Sequence, residues 1–111
     1  MSRNENHKLV ISEPLKFYCQ FDEDCFYHWL KSLDSLQELE ILPGNPLNGI
    51  SNKILLSFHQ EGIDDEDLKQ LIGLLMRYQL DMSSLISLCT KSNEKWFKNP
   101  KAYWYCQVFG A

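Results

Sequence analysis

Hydrophobic residues recur along this chain with two different spacings, and the spacing changes several times. Strict alternation of apolar and polar residues is typical of a strand with one buried face. Residues 15–21, within PLKFYCQF, alternate in this way, residues 53–60 (KILLSFHQ) do the same, and residues 37–42 (QELEIL) form a weaker third example. The pattern therefore predicts a small sheet with strands at 15–21, 37–42 and 53–60.

Helical spacing follows three sites of one design, in which an apolar residue precedes an Asp and a second apolar residue lies four positions after it. These aspartates are Asp22, Asp64 and Asp81. An Asp at the N-cap accepts hydrogen bonds from free backbone N–H groups, and the flanking apolar pair forms a hydrophobic staple. Apolar stripes with helical spacing follow each cap. The pattern predicts helices over 22–33, 64–79 and 81–91.

Two further segments complete the prediction. Residues 1–12 are expected to form a less ordered N-terminal segment. Residues 101–109 suit either a short helix, because Asn99-Pro100 is a favourable helix start, or a strand, because their apolar residues alternate. The helix is favoured, and both remain open. The loop LPGNPLNG at 42–49 separates two of the strands.

The predicted fold is α+β, with a small β-sheet packed against three to four α-helices in a single compact domain over 1–111. A chain of 111 residues is long enough for one hydrophobic core and too short for two. The core is predicted to contain Phe17, Phe26, Trp29, Leu30, Ile54, Leu56, Phe58, Leu68, Leu71, Ile72, Leu75 and Leu85.

Composition indicates the cellular compartment of the protein and the state of its cysteines. No apolar run is long enough to cross a bilayer, and the first ten residues contain no apolar region typical of a secretory signal. We therefore expect a cytoplasmic protein without a membrane partner. The four cysteines, at 19, 25, 89 and 106, are expected to be free thiols, and the absence of a CxxC pair disfavours a structural zinc site.

Charge is distributed unevenly between the two parts of the chain. Residues 1–67 contain thirteen acidic and five basic residues, a net charge of −8, whereas residues 68–111 contain two acidic and six basic residues, a net charge of +4. Binding to nucleic acid requires a basic surface that neutralises phosphates, so the acidic part disfavours nucleic acid as a direct ligand. It favours a cationic protein partner.

Five carboxylates lie within EGIDDED at 61–67, and they allow two interpretations. Carboxylates in the first turn of a helix are stabilised by the helix dipole, which explains the cluster without a ligand. The same residues can also belong to a binding surface. A calcium loop is disfavoured because the segment lacks the alternation of ligands, the central glycine and the closing glutamate.

Catalytic motifs are absent from the sequence, apart from Cys25 and His28, which lie three residues apart on the first predicted helix. Such a pair can form a nucleophile, but no residue that would orient it can be named, and a packed Cys25 is the simpler interpretation. The aromatic tail at 96–109 also has two interpretations, closure of the core or an interface with a partner. We predict a protein that is not an enzyme and has neither a cofactor nor a metal.

Three stretches resemble a family of small bacterial toxin-immunity proteins from contact-dependent growth inhibition and related polymorphic toxin systems. They are FDEDCFYHWLKSL near the N-terminus, IDDEDLKQLIGLLMRYQLDMSSL in the middle and NEKWFKNPKAYWYCQVFG near the end, and the resemblance covers residues 14 to 110. It implies a protein without catalytic activity that binds the C-terminal domain of a cognate toxin, expected to be a cationic nuclease, and neutralises it by protein–protein inhibition.

An acidic surface would match the basic substrate channel of such a toxin and accelerate encounter. The predicted toxin contacts are Asp22, Glu23, Asp24, Glu61, Asp65, Glu66 and Asp67, with Tyr27 and His28 at the rim. Two alternatives remain, a small cytosolic adaptor or regulatory binding protein unrelated to toxins, and a Cys–His enzyme that uses Cys25.

Overall fold

A computed structural model describes residues 8–14, 16–59 and 62–110 of the chain. The strands are β1 (Lys8–Ser12), β2 (Leu36–Leu42) and β3 (Lys53–Phe58). The α-helices are α1 (Gln20–Lys31), α2 (Asp65–Arg77), α3 (Glu94–Phe97) and α4 (Tyr105–Phe109), and 3₁₀ helices cover Pro46–Asn48 and Ser83–Leu88. The predicted α+β class is confirmed. None of these helices combines the length and apolar character that a membrane span requires.

The three strands form one antiparallel sheet in the order β1-β3-β2, so that β3 pairs on both sides. Leu9 pairs with Leu56 and Ile11 with Ile54, and these four side chains are buried on the inner face. Val10 lies on the outer face of the sheet and is exposed. The sheet is thus buried against the helices on one face, as expected for an antiparallel sheet with alternating residues.

The core lies between the inner face of the sheet and the helices. Ten of the twelve predicted core residues are buried, and the other two, Phe17 and Trp29, are partly buried and pack against the core. The predicted strands at 37–42 and 53–60 and the predicted helices at 22–33 and 64–79 correspond to β2, β3, α1 and α2, with bounds that differ by one or two residues. The strand β3 ends at Phe58, and its predicted last residue, Gln60, lies outside the described residues.

The predicted strand at 15–21 is wrong, and so is the expectation that residues 8–12 are less ordered. Residues 8–12 form β1, and residues 16–19 form a connection before α1 begins at Gln20. Residues 1–7 and Leu15 lie outside the described residues. Phe17 is apolar because its ring packs against Phe26 on α1, at a centroid distance of 5.6 Å, and not because the segment is a strand.

The predicted helix at 81–91 is also wrong, since residues 83–88 form a 3₁₀ helix. The Asp81 carboxylate accepts a hydrogen bond from the backbone N–H of Ser83, two residues ahead. Serines 83, 84 and 87 follow, and such side chains compete with the helical backbone for hydrogen bonds, as Ser87 Oγ does when it donates to the Ser84 carbonyl. This local chemistry favours a short, tight turn over a long α-helix.

The tail closes the core, and its final element is a helix rather than a strand. Phe97 is fully buried and packs edge-on against Phe109 at a centroid distance of 5.1 Å. Trp104 Nε1 donates to the Phe97 carbonyl at 2.7 Å. Closure of the core therefore accounts for Phe97, Trp104 and Phe109, whereas Tyr103 remains exposed.

Candidate partner-binding surface

The predicted contact residues lie on α1 and α2, and the relative direction of these helices decides which residues meet. Tyr78, just after α2, donates to Asp22 near the start of α1, with 3.2 Å between the phenol oxygen and Asp22 Oδ1. Trp29 Nε1 donates to Gln70 Oε1 at 2.9 Å near the other end of α1. The two helices are therefore antiparallel.

This arrangement separates the predicted acidic surface into two parts. Asp22, Glu23 and Asp24 lie near the start of α1, where Asp22 meets Tyr78 just after α2, whereas Asp65 and Glu66 lie at the start of α2. A helix of this length spans about 18 Å at 1.5 Å per residue. The acidic residues are consequently not one continuous patch, as the sequence had predicted, but two groups at opposite ends of the helix pair.

The start of α2 is acidic and exposed. Asp64 is the N-cap, as predicted, because its Oδ1 accepts from the Asp67 N–H at 2.8 Å. Asp64, Asp65 and Glu66 are exposed, and we refer to them as the acidic helix start. Glu61, a further predicted contact, lies outside the described residues.

Asp67 does not belong to this exposed surface, so its prediction as a toxin contact is wrong. Its side chain is only 6% exposed, and Oδ2 accepts from the backbone N–H of Ser35 at 2.6 Å. Ser35 Oγ in turn accepts from the Asp64 N–H at 3.1 Å. These bonds fix the start of α2 to the turn that follows α1, so Asp67 positions the acidic helix start.

At the start of α1, Asp22 has a different role from the predicted N-cap. The N-cap is Cys19, and Asp22 lies in the first turn, where Oδ2 accepts from the Tyr18 N–H at 3.0 Å. Asp22 also accepts from the Tyr78 phenol. Burial, and then the hydrogen bond to Asp22, raise the pKa of Tyr78. Both carboxylate oxygens of Asp22 therefore hold the fold together.

Tyr27, predicted at the rim of the binding surface, is partly buried. Its ring packs edge-on against Phe26, and its hydroxyl donates to the Glu13 carboxylate. Burial raises the pKa of Tyr27, and the hydrogen bond to Glu13 raises it further. Glu13 also accepts from Asn52 at 2.9 Å. Tyr27 thus joins α1 to the end of β1, and because it remains partly exposed its place at the rim of a partner interface stays a prediction.

The outer face of α1 carries a shallow groove of about 590 Å³, which we call the α1 groove. Its lining residues repeat every three to four positions, as neighbours on one helix face do. They are Phe21, Asp24, Cys25, His28, Trp29 and Ser32. Phe21 is 75% exposed, so a large aromatic side chain faces solvent at one end. From Phe21 to Ser32 the α1 groove extends about 16 Å along the helix.

Two carboxylates, those of Asp24 and Glu66, are relevant to the charge of the α1 groove. Asp24 is exposed within it. Glu66 lies one turn before Gln70 on the same face of α2, and Gln70 accepts the hydrogen bond from Trp29. Because α1 and α2 are antiparallel, we expect Glu66 to lie toward the Ser32 end, although it is not among the lining residues of the groove. The α1 groove therefore runs between the two acidic groups.

A polar pocket of about 340 Å³ lies near the start of α1. It is lined by Lys16 and Arg77 together with Asp22, Tyr18 and Tyr78, and by Pro14 and Gln79. Two basic side chains, Lys16 and Arg77, therefore line the same pocket as Asp22. Asp24 is not among the lining residues of this pocket.

Cys25 and His28 both line the α1 groove and both are exposed. Within the described residues, no hydrogen bond joins their side chains, and no group of three His, Cys, Asp or Glu side chains is arranged to hold a metal ion. The predicted surface positions of His28 and Asp24 agree with the structure, whereas Cys25 is exposed rather than packed.

Sequence reasoning missed four members of the α1 groove, Phe21, Cys25, Trp29 and Ser32, as binding residues. Phe21 was assigned to a strand and Trp29 to the core. The signal was a second stripe on the same helix, Phe21-Cys25-His28-Ser32, which lies opposite the core stripe that contains Phe26 and Leu30. A helix with two stripes of this kind has one face for the core and one for another contact.

Comparisons with protein-family models, with curated proteins and with solved structures find no match for the chain. Function is therefore inferred from the residues and their arrangement.

Proposed function

We propose that the protein is an immunity protein, which binds the C-terminal domain of a cognate bacterial toxin in the cytoplasm and neutralises it by protein–protein inhibition. The proposal is supported by the three sequence stretches that resemble such proteins. It is also supported by the uneven charge, with −8 over residues 1–67, which suits a cationic partner such as a nuclease.

The observation that carries the proposal is the fixed geometry of the acidic helix start. Asp64, Asp65 and Glu66 are exposed, while Asp67 and Ser35 hold the backbone beneath them. Carboxylates on an ordered backbone lose little conformational freedom on binding, so more of the interaction energy remains for affinity. The N-terminal end of a helix also concentrates them on one small area.

Such a surface acts mainly on the rate of encounter. A nuclease needs a positively charged channel for its substrate, and carboxylates that approach this channel are attracted over several ångströms. Electrostatic steering can raise association rates from about 10⁵–10⁶ to about 10⁸–10⁹ M⁻¹s⁻¹ at low salt. Protection from a lethal enzyme requires an affinity on the order of nanomolar, about −12 kcal/mol, and an interface near about 800 Å² per partner.

The test begins with purification of the protein from its native cell and identification of the bound protein by mass spectrometry. The identified partner is then expressed with and without this protein, and growth is measured. Immunity predicts that the partner alone arrests growth and that co-expression restores it. An arrest that co-expression leaves in place would refute immunity, and a partner harmless to growth would instead assign an adaptor or regulatory role.

The contribution of the acidic helix start is measured with charge reversal. The variant Asp65→Lys/Glu66→Lys is compared with Glu40→Lys/Glu94→Lys, which makes the same change in net charge at exposed positions on β2 and α3. We expect association with the purified partner to slow at least about tenfold at low salt for the first variant only. Equal rates for both variants would remove the acidic helix start from the interface.

A further inference from the structure

We infer that the α1 groove binds an amphipathic helix of the partner. This helix has an apolar ridge with basic residues on both sides. This inference rests on the proposed function, because it names the part of the partner that the protein binds. The groove is formed on the exposed face of α1, and another helix packs on such a face by fitting its ridge of side chains between those of α1.

The size and firmness of the groove favour a helix as the occupant. A length of about 16 Å corresponds to three turns of a helix. The Trp29 ring is held by its hydrogen bond to Gln70, and a Cβ atom added at Gly73 would contact Trp29 Cζ2 at 3.7 Å. Phe21, by contrast, is exposed and can close over an apolar side chain. Aromatic residues at such positions often carry much of the binding energy.

Charge complementarity specifies the chemistry of the occupant. Asp24 lies in the first half of the groove, and the antiparallel packing directs the exposed Glu66, one turn before Gln70, toward the Ser32 end. The rise from Asp24 to Ser32 is about 12 Å, or roughly two helical turns. An occupant with lysine or arginine residues about two turns apart would pair with both carboxylates while its apolar ridge contacts Phe21, Cys25 and Trp29. A neutral or acidic helix would leave these carboxylates without a cationic partner, since Asp24, among the described residues, accepts only a neutral hydrogen bond, from Gln20 at 2.9 Å.

The probe is a designed 18-residue helical peptide with leucines at every third or fourth position and lysines on both flanks. One control peptide replaces the lysines with glutamates, and another keeps the lysines and replaces the leucines with serines. Binding to the full chain is measured by fluorescence anisotropy at moderate salt. We expect the leucine–lysine peptide to bind at least tenfold more tightly than either control.

Two variants locate the binding, each with a matched control. Phe21→Ser is compared with Leu47→Ser, because Leu47 is 97% exposed in the loop between β2 and β3. Asp24→Lys is compared with Glu40→Lys, which makes the same charge change on the sheet. We expect the Phe21 and Asp24 variants to weaken peptide binding about tenfold or more and the controls to weaken it less than twofold.

A chemical readout reports on the same site. In a Cys19→Ser/Cys106→Ser variant, Cys25 is the exposed thiol of the described residues, and burial raises the pKa of the partly buried Cys89 thiol, which slows its reaction. Saturating leucine–lysine peptide should slow modification of Cys25 by a disulfide reagent at least fivefold. An unchanged rate would overturn the inference.

The two proposals can fail separately. Peptide binding that is equal for all three peptides, or unaffected by Phe21→Ser, would refute the groove even if the protein still rescues growth. A specific peptide site without growth rescue would retain the groove and refute immunity. Self-association of the free chain that disappears in Phe21→Ser, measured by light scattering, would assign the groove to a second copy and overturn the inference.

Discussion

Replacement of Asp67 by Ala should destabilise the protein far more than replacement of the neighbouring Asp65, although each removes one carboxylate from the first turn of α2. The Asp67 side chain is buried and accepts the Ser35 N–H at 2.6 Å, whereas Asp65 is exposed. A hydrogen bond to a charged acceptor contributes about 1.5–3 kcal/mol, and an unsatisfied buried N–H costs about 1–3 kcal/mol. These two effects overlap, so we expect Asp67→Ala to lower the free energy of unfolding by about 2–4 kcal/mol.

The controls separate the buried hydrogen bond from the helix dipole. Asp65→Ala loses only the dipole interaction, about 0.3–1 kcal/mol. Asp67→Asn retains an acceptor for the Ser35 N–H but loses its charge, so it should lie between the two. Urea denaturation followed by circular dichroism measures all three values, and thermal midpoints should fall by about 4 °C per kcal/mol for a chain of this size. Equal losses for Asp67→Ala and Asp65→Ala would refute the positioning role of Asp67.

Two further predictions concern the loop and the network around β1. Gly44→Ala should destabilise the fold by about 2 kcal/mol or more in the same urea assay, because a Cβ at Gly44 would lie 2.3 Å from the Ser51 carbonyl oxygen; an unchanged midpoint would contradict this close approach. The stability contributed by the raised pKa of Tyr27 should be fully present below pH about 10 and lost as pH rises above it, since the unfolded phenol ionises first. Tyr27→Phe should flatten this alkaline decline, and an identical pH profile for both proteins would exclude Tyr27 as its source.

Local patterns were sufficient to predict much of the fold. The alternation in β3 and the helical spacing behind Asp64 each reflect a single element with one buried face, so the residues themselves define the element. The two errors have different origins. Phe17, in the segment predicted as a strand, joins an aromatic cluster with Phe26 and Tyr78, which lie outside that segment. At 81–91 the cause is local, because hydrogen bonds from Ser83 to Asp81 and from Ser87 to Ser84 favour a 3₁₀ turn.

The candidate surface was less predictable because it depends on residues distant in sequence. Asp67 is buried by Ser35, which lies 32 positions earlier, and no local pattern distinguishes it from Asp65. The separation of the two acidic groups follows from the antiparallel packing of α1 and α2, which neither helix specifies alone. The exposed stripe that begins at Phe21 is visible in the sequence, but only the burial of Phe26 and Leu30 shows which side of the helix faces the core.

The strand order also constrains how the chain can fold while the ribosome is still making it. Within the part of the chain that the structure describes, the first strand pairs with residues 53–57 of β3, which is synthesised last among the three strands. At translation rates of about 5–20 residues per second, the first strand waits roughly two to nine seconds for its neighbour. During that interval Leu9 and Ile11 have no sheet in which to be buried, so the nascent chain is most exposed to aggregation before residue 58 emerges.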